Sequence, residues 1–142
     1  MTTVRLVETG LDAAGRSTVV ADRLVEAREL PTGRVLNPLW GNDTASAGPA
    51  AGAEPGLFPS AGGARFWLFT VRAHEAQTAH ALHRTSTIDL GFIVEGVLTM
   101  ELEDGSTVDL HPGDAYVQNG TQHGWHNHGD LDAVVALVVL GR

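Results

Sequence analysis

Four residues that can do chemistry, His83, Thr85, Thr87 and Asp89, alternate along the β-rich stretch Leu82–Leu98. Successive strand side chains point to opposite faces, so the four share one face if the strand is regular. A second stretch, Gln122–Asn127, places His123, Trp125 and Asn127 on one face by the same rule. Strand positions that face a core are usually apolar. Two strands that each offer a histidine and a further polar group therefore predict one polar site between them. A histidine beside a carboxylate can be held in one tautomer and can move a proton to or from a bound molecule. The set His83, Asp89 and His123 also has the donor types that hold zinc or non-haem iron(II) with open positions. Thr85, Thr87, Gln118 and Trp125 are the expected pocket residues around it. Plainer roles stand beside these: His83 and His123 as satisfied interior histidines, Asp89 bonded to backbone or Thr87, and Asn127 shaping the turn before Gly129.

Composition removes other chemistries. The chain has 142 residues and no cysteine, and its nine basic residues are all arginine. Thiolate catalysis and a lysine Schiff base are thereby excluded. The net charge is -8 and no basic run exists, which argues against nucleic acid. The longest apolar run, Ala133–Leu140, is too short to span a bilayer, and the N-terminus has no apolar stretch of the signal-peptide kind. The expectation is a cytoplasmic protein that takes a small-molecule substrate and contacts neither membrane nor nucleic acid. Ser86 and Ser106 lack the setting of a hydrolase nucleophile. His111 and His128 read as solvated loop residues, His74 is ambiguous, and His126, opposite in parity to His123, is expected to face outward.

The elements that must position these residues are strands. Phe66–Arg72, Thr87–Val94, Val97–Leu102, Thr107–Leu110, Ala115–Gln118, Gln122–Asn127 and Asp132–Leu140 are rich in β-branched and aromatic residues. Between them stand turn signals such as Asp104-Gly105 and Asn119-Gly120. Val4–Val7, Thr18–Val20 and Arg34–Leu36 are shorter runs, and Leu24–Leu30 has room for one short helix. Gly41–Ala64 is dominated by Gly, Ala and Pro and reads as a long loop or lid, with Trp40, Leu57 and Phe58 able to pin it down. The result is an all-β sandwich or barrel of one domain, residues 1–142, with N-terminal strands in 1–40 and the loop in 41–64.

The stretch from His83 to Leu140 resembles the cupins, small double-stranded β-helix or jelly-roll barrels. Their first motif is commonly written G-x5-H-x-H-x3,4-E-x6-G and their second G-x5-P-x-G-x2-H-x3-N. Counted back from Gly96, Asp89 falls at the acidic position, Thr85 at the second histidine and His83 at the first. The second motif maps onto Gly113, Gly120, His123 and Asn127, one residue short and without its proline. The resemblance implies a divalent metal (Fe, Zn, Mn or Ni) held by three His and one Glu in typical members. This chain departs from that set twice, since Thr85 replaces a histidine and Asp89 a longer glutamate. His83, Asp89 and His123 remain as ligands, with His80 or His126 a candidate replacement, or the site works with no metal.

Two classes of function follow. One is a tailoring enzyme of specialised or aromatic metabolism, acting by metal-assisted or direct His/Asp proton transfer in a decarboxylation, dehydration, isomerisation or cyclisation. An Fe(II)-dependent dioxygenase is its runner-up. The other class is a cupin that binds a small ligand without turnover. The resemblance also implies a homodimer, with the N-terminal strands available to a partner.

Overall fold

A computed structural model describes residues 3–43, 56–75 and 82–142. His80 and most of the expected loop lie outside the described residues. Among the described residues the regular secondary structure is all β: β1 (Thr3–Leu11), β2 (Ser17–Glu26), β3 (Arg28–Glu29), β4 (Val35–Asn42), β5 (Ala64–Val71), β6 (Thr87–Glu95), β7 (Leu98–Leu102), β8 (Thr107–Leu110), β9 (Ala115–Gln118), β10 (His123–His126) and β11 (Ala133–Gly141). Gly96, Gly105, Gly113 and Gly120 all take positive φ, as their turns require.

The short helix for which Leu24–Leu30 has room is absent. β1 pairs antiparallel with β2 along its whole length, Thr3 opposite Glu26 and Leu11 opposite Ser17. The ladder takes up the backbone groups that a helix would need, and β3 follows one residue later. This hairpin closes on Asp12, whose Oδ1 accepts from the amides of Ala14 and Arg16, both at 2.9 Å. No helix of the described residues is long and apolar enough to cross a membrane.

A six-stranded sheet in the order β3-β4-β5-β11-β6-β9 faces a three-stranded sheet in the order β10-β7-β8. One core cluster draws on both: Leu36, Trp67, Ile93, Val135 and Leu137 from the large sheet meet Leu98, Leu110 and Trp125 from the small one. This is the layered burial expected when two sheets each hide one face. Register sets what projects inward. Leu36, Phe69, Val135 and Ile93 form one cross-strand row, and Trp67, Leu137, Gly91 and Tyr116 form the next. The third row, Arg65, Val139, Asp89 and Gln118, is the polar end.

Gly91 is small because the Tyr116 ring lies over it; a methyl group there would collide with the ring carbons and the phenol oxygen. Tyr116 in turn packs on Trp125, ring centroids 4.8 Å apart. Gly91→Ala must push the ring off its seat, and overpacking of this kind costs about 1–3 kcal/mol. Urea denaturation should show that loss; an unchanged midpoint would mean the ring has a second seat.

Candidate functional site

Asp89 enters the interior near the start of β6, tied to two threonines. The Thr87 hydroxyl lies 2.7 Å from Asp89 Oδ1 and 2.8 Å from Thr85 Oγ1. It has one proton. When that proton goes to the carboxylate, the Thr85 hydroxyl donates to Thr87 behind it. The other oxygen, Oδ2, has no hydrogen-bond partner among the described residues. Burial pushes the Asp89 carboxyl above its ordinary range; the Thr87 hydrogen bond and the charge of a protonated His123 pull it back, and burial prevails. The Tyr116 phenol is pushed well up, chiefly by burial and further by the negative charge on Asp89.

Gly120 holds the threonine segment down. It takes φ +70° in the β9–β10 turn, and a Cβ would fall 2.6 Å from the Thr85 carbonyl and 2.9 Å from that of Thr87. The two stretches are also stitched by a bridge outside the strands, with His83 N donating to His123 O at 2.9 Å and His123 N to His83 O at 3.0 Å.

His123 is 1% exposed. Its Nδ1 lies 2.7 Å from the Thr121 carbonyl, which can only accept, so Nδ1 carries the proton. Nε2 is then the ring nitrogen left for a ligand. The His83 ring stacks at a tilt on His123, centroids 4.5 Å apart, but is itself exposed. Regular pairing of β6 begins only at Thr87, so His83 reaches the site through its bridge to His123 rather than as a member of β6.

All of this borders one cavity of about 380 Å3. Asp89, His123, His83 and Thr85 share its wall with Leu36, Trp67, Phe69, Trp125 and Leu137. Trp125 is thus both core and pocket wall. Leu57 and Phe58, from the described end of the loop, close another side, Phe58 standing edge-on to Trp67 at 6.1 Å.

Two expected pocket residues stand elsewhere. Thr87 sits behind Asp89 rather than on the wall. Gln118 is spent on its turn: Nε2 donates to the Thr121 carbonyl and hydroxyl, both at 2.9 Å, and Oε1 accepts from the Gly120 amide. Asn127 is structural, donating to the carbonyls of Val71 (3.0 Å) and Leu131 (2.8 Å) and accepting from the Gly129 amide. His111 and His128 are exposed. His74, also exposed, lies 3.0 Å from Asp130. His126 corrects an expectation: it turns away from His123 but is buried, its Nε2 2.7 Å from Glu101 and its ring stacked on His128. A charge-assisted partner across β7 offsets the loss of water there.

Arg34 carries no mark in the sequence, yet it lines the cavity. It is 7% exposed. Its Nε donates to Glu75 Oε1 at 2.9 Å, its Nη2 to the Trp125 carbonyl at 2.9 Å, and its guanidinium lies 5.5 Å from the Phe69 ring centre. The aromatic wall had a visible signal, the alternation of Trp67 and Phe69 in β5; Arg34 had none.

The described residues do not fit the metal that the fold suggests. Among them no three His, Asp or Glu side chains converge as a ligand set. Threonine stands where a second histidine would bind, and a hydroxyl is a poor ligand beside imidazole. One Asp89 oxygen is already taken by Thr87.

Residues 67–140 match the family described as "Cupin domain". "Oryzines biosynthesis cluster protein J" of Aspergillus oryzae is 40% identical over 57 residues, 40% of this chain and 32% of that protein. "Cupin-domain-containing oxidoreductase srdD" of Neurospora crassa is 44% identical over 62 residues, 42% of this chain and 32% of that protein. The chain thus spans about a third of the length of the curated relatives it matches. Among solved structures, the polyketide cyclase RemF of Streptomyces resistomycificus superposes with a TM-score of 0.59 at 16% identity, over 81% of this chain and 72% of that one. KdgF of Halomonas sp. does so at 0.56 and 18%, over 82% and 89%. At such identities the superpositions speak for the fold alone.

Proposed function

The chain belongs to the cupin domain family, and from that premise we propose that it is an enzyme that moves a proton on a small carbonyl compound, with Asp89 and His123 as the working pair. One observation carries the reading. A carboxyl raised by burial and a histidine with its Nδ1 proton committed to Thr121 open into the same largely apolar cavity. Enzymes raise a carboxyl in this way to make it a stronger base.

Asp89 Oδ2 takes a proton from the carbon beside the carbonyl: the C–H bond breaks and an O–H bond forms on Asp89. The electron pair moves onto the carbonyl oxygen, where protonated His123 donates from Nε2. Thr87 and Thr85 hold the Asp89 carboxyl in place during the transfer. Return of the proton to the same or a neighbouring carbon gives exchange or isomerisation. The same enolate is common to decarboxylation, dehydration and cyclisation. No step is routed through a metal, since the described residues do not fit one. The names of relatives from biosynthesis clusters support a tailoring role in specialised metabolism. Those named oxidoreductases align over only about a third of their length, so the chemistry is argued from the residues here.

The test is solvent deuterium exchange into the benzylic position of phenylpyruvate and phenylacetone, followed by proton NMR. The expected result is exchange faster than in buffer, linear in protein and saturable in substrate. Binding without exchange would leave a ligand carrier. A stoichiometric transition metal that co-purifies and is lost in His123→Ala would overturn the metal-free mechanism.

A further inference from the structure

Two arginines are almost fully buried, and they are used differently. Arg65 spends its donors on the fold: Nε on the Gly56 carbonyl at 3.0 Å, Nη1 on those of Asn42 (2.6 Å) and Ala64 (3.0 Å), and Nη2 on Asp43 at 2.7 Å. Arg34 makes two hydrogen bonds, through Nε and Nη2, and its Nη1 has no partner among the described residues. Nη1 is not among the fully buried atoms that lack a partner, so it stays accessible to a ligand. Arg34 also borders the cavity that Asp89 and His123 share.

We propose that Arg34 is the specificity residue of this cavity and selects small aromatic substrates that carry a carboxylate. The inference rests on the proton-transfer reading for what happens at the far end of the molecule. Glu75 and the Trp125 carbonyl fix the plane of the guanidinium and leave Nη1 to receive an anionic oxygen. Charge-assisted bonds from a fixed arginine discriminate strongly between a carboxylate and a neutral group of the same shape. The walls are Trp67, Phe69 and Trp125, which suit a flat ring. Spacing supports the size. Arg34 is anchored at Trp125, two residues along β10 from His123, and two strand residues span about 7 Å. A carboxylate at Arg34 therefore leaves about one ring or short chain before the reacting carbon meets Asp89 and His123.

The experiment uses cinnamate and cinnamamide, which differ in charge but little in shape, with intrinsic tryptophan fluorescence as the readout, since Trp67 and Trp125 line the cavity. Wild-type protein should bind cinnamate at least tenfold more tightly than cinnamamide. Arg34→Lys, which keeps the charge but not the planar fork, should narrow that gap, and Arg34→Gln should close it. Should Arg34→Gln fail to fold, the wild-type comparison still decides. Equal binding of the two probes, or no binding of either at millimolar concentration, overturns the proposal. Cinnamate has no acidic carbon to exchange, so its binding is independent of turnover. Discrimination without deuterium exchange on phenylpyruvate would sink the catalytic reading alone; exchange on phenylacetone without discrimination would sink this proposal alone.

Discussion

Asp89→Asn is expected to melt higher than the wild type at pH 7 while exchanging protons roughly 100- to 10,000-fold more slowly. The two effects share one cause. Burial raises the Asp89 carboxyl above its ordinary value of 3.8. The folded protein therefore holds this proton more tightly than the unfolded chain does. That contribution to stability is fully present below 3.8 and is lost as pH rises through the higher folded value. Above that folded value the wild type carries a charge that its cavity disfavours. Asparagine keeps an oxygen for the Thr87 hydroxyl but cannot ionise, so it escapes the cost and also cannot act as a base. Melting curves followed by circular dichroism across the acid-to-neutral range should show the gap between variant and wild type opening with pH and closing in acid. A variant less stable than the wild type by the same margin at every pH would mean that Asp89 is a structural hydrogen-bond acceptor. A variant that keeps full exchange activity would remove Asp89 from the reaction.

The strands, and the inward placement of the two residues proposed to work as a pair, were legible because each follows from local alternation. Glycines at Gly96, Gly105, Gly113 and Gly120 interrupt β-branched runs, and each glycine does take the positive φ that its turn requires. Asp89 and His123 stood out as polar residues at inward parity on strands that are otherwise apolar. What failed was what depends on partners distant in the chain. Leu24–Leu30 is ambiguous alone; the ladder of Leu24–Glu26 with β1 and that of Arg28–Glu29 with β4 make it strand. His126 has outward parity, and its burial depends on Glu101 from β7 and the ring of His128. Gln118 had the right face, but its side chain reaches two residues on to the turn it closes. Arg34, one arginine among nine, carries no mark of its place, and its neighbours in space come from two distant parts of the chain, Phe69 and Glu75 from one and Trp125 from the other.

The energetics of Arg34 give the second large effect. Its side chain is 8% exposed and that of Glu75 12%, so the two form a buried ion pair at 2.9 Å. Glu75→Leu leaves the guanidinium charged, buried and without its counter-ion, and loss of one partner of such a pair costs about 3–5 kcal/mol. Arg34→Met combined with Glu75→Leu removes both charges and should recover most of that loss, because two desolvated ions gain little over apolar groups of similar volume. Urea denaturation of the wild type, both single variants and the double closes the cycle and isolates the pair from whatever else each residue touches. A cost below about 1 kcal/mol for Glu75→Leu would mean that water reaches the pair and that it behaves as a surface bridge. The double variant has a further use. If it folds as well as the wild type yet no longer prefers cinnamate to cinnamamide, the fold does not need the arginine and the ligand does. A fold that can do without a buried charge, at a position where apolar residues would serve, keeps that charge for what the cavity binds.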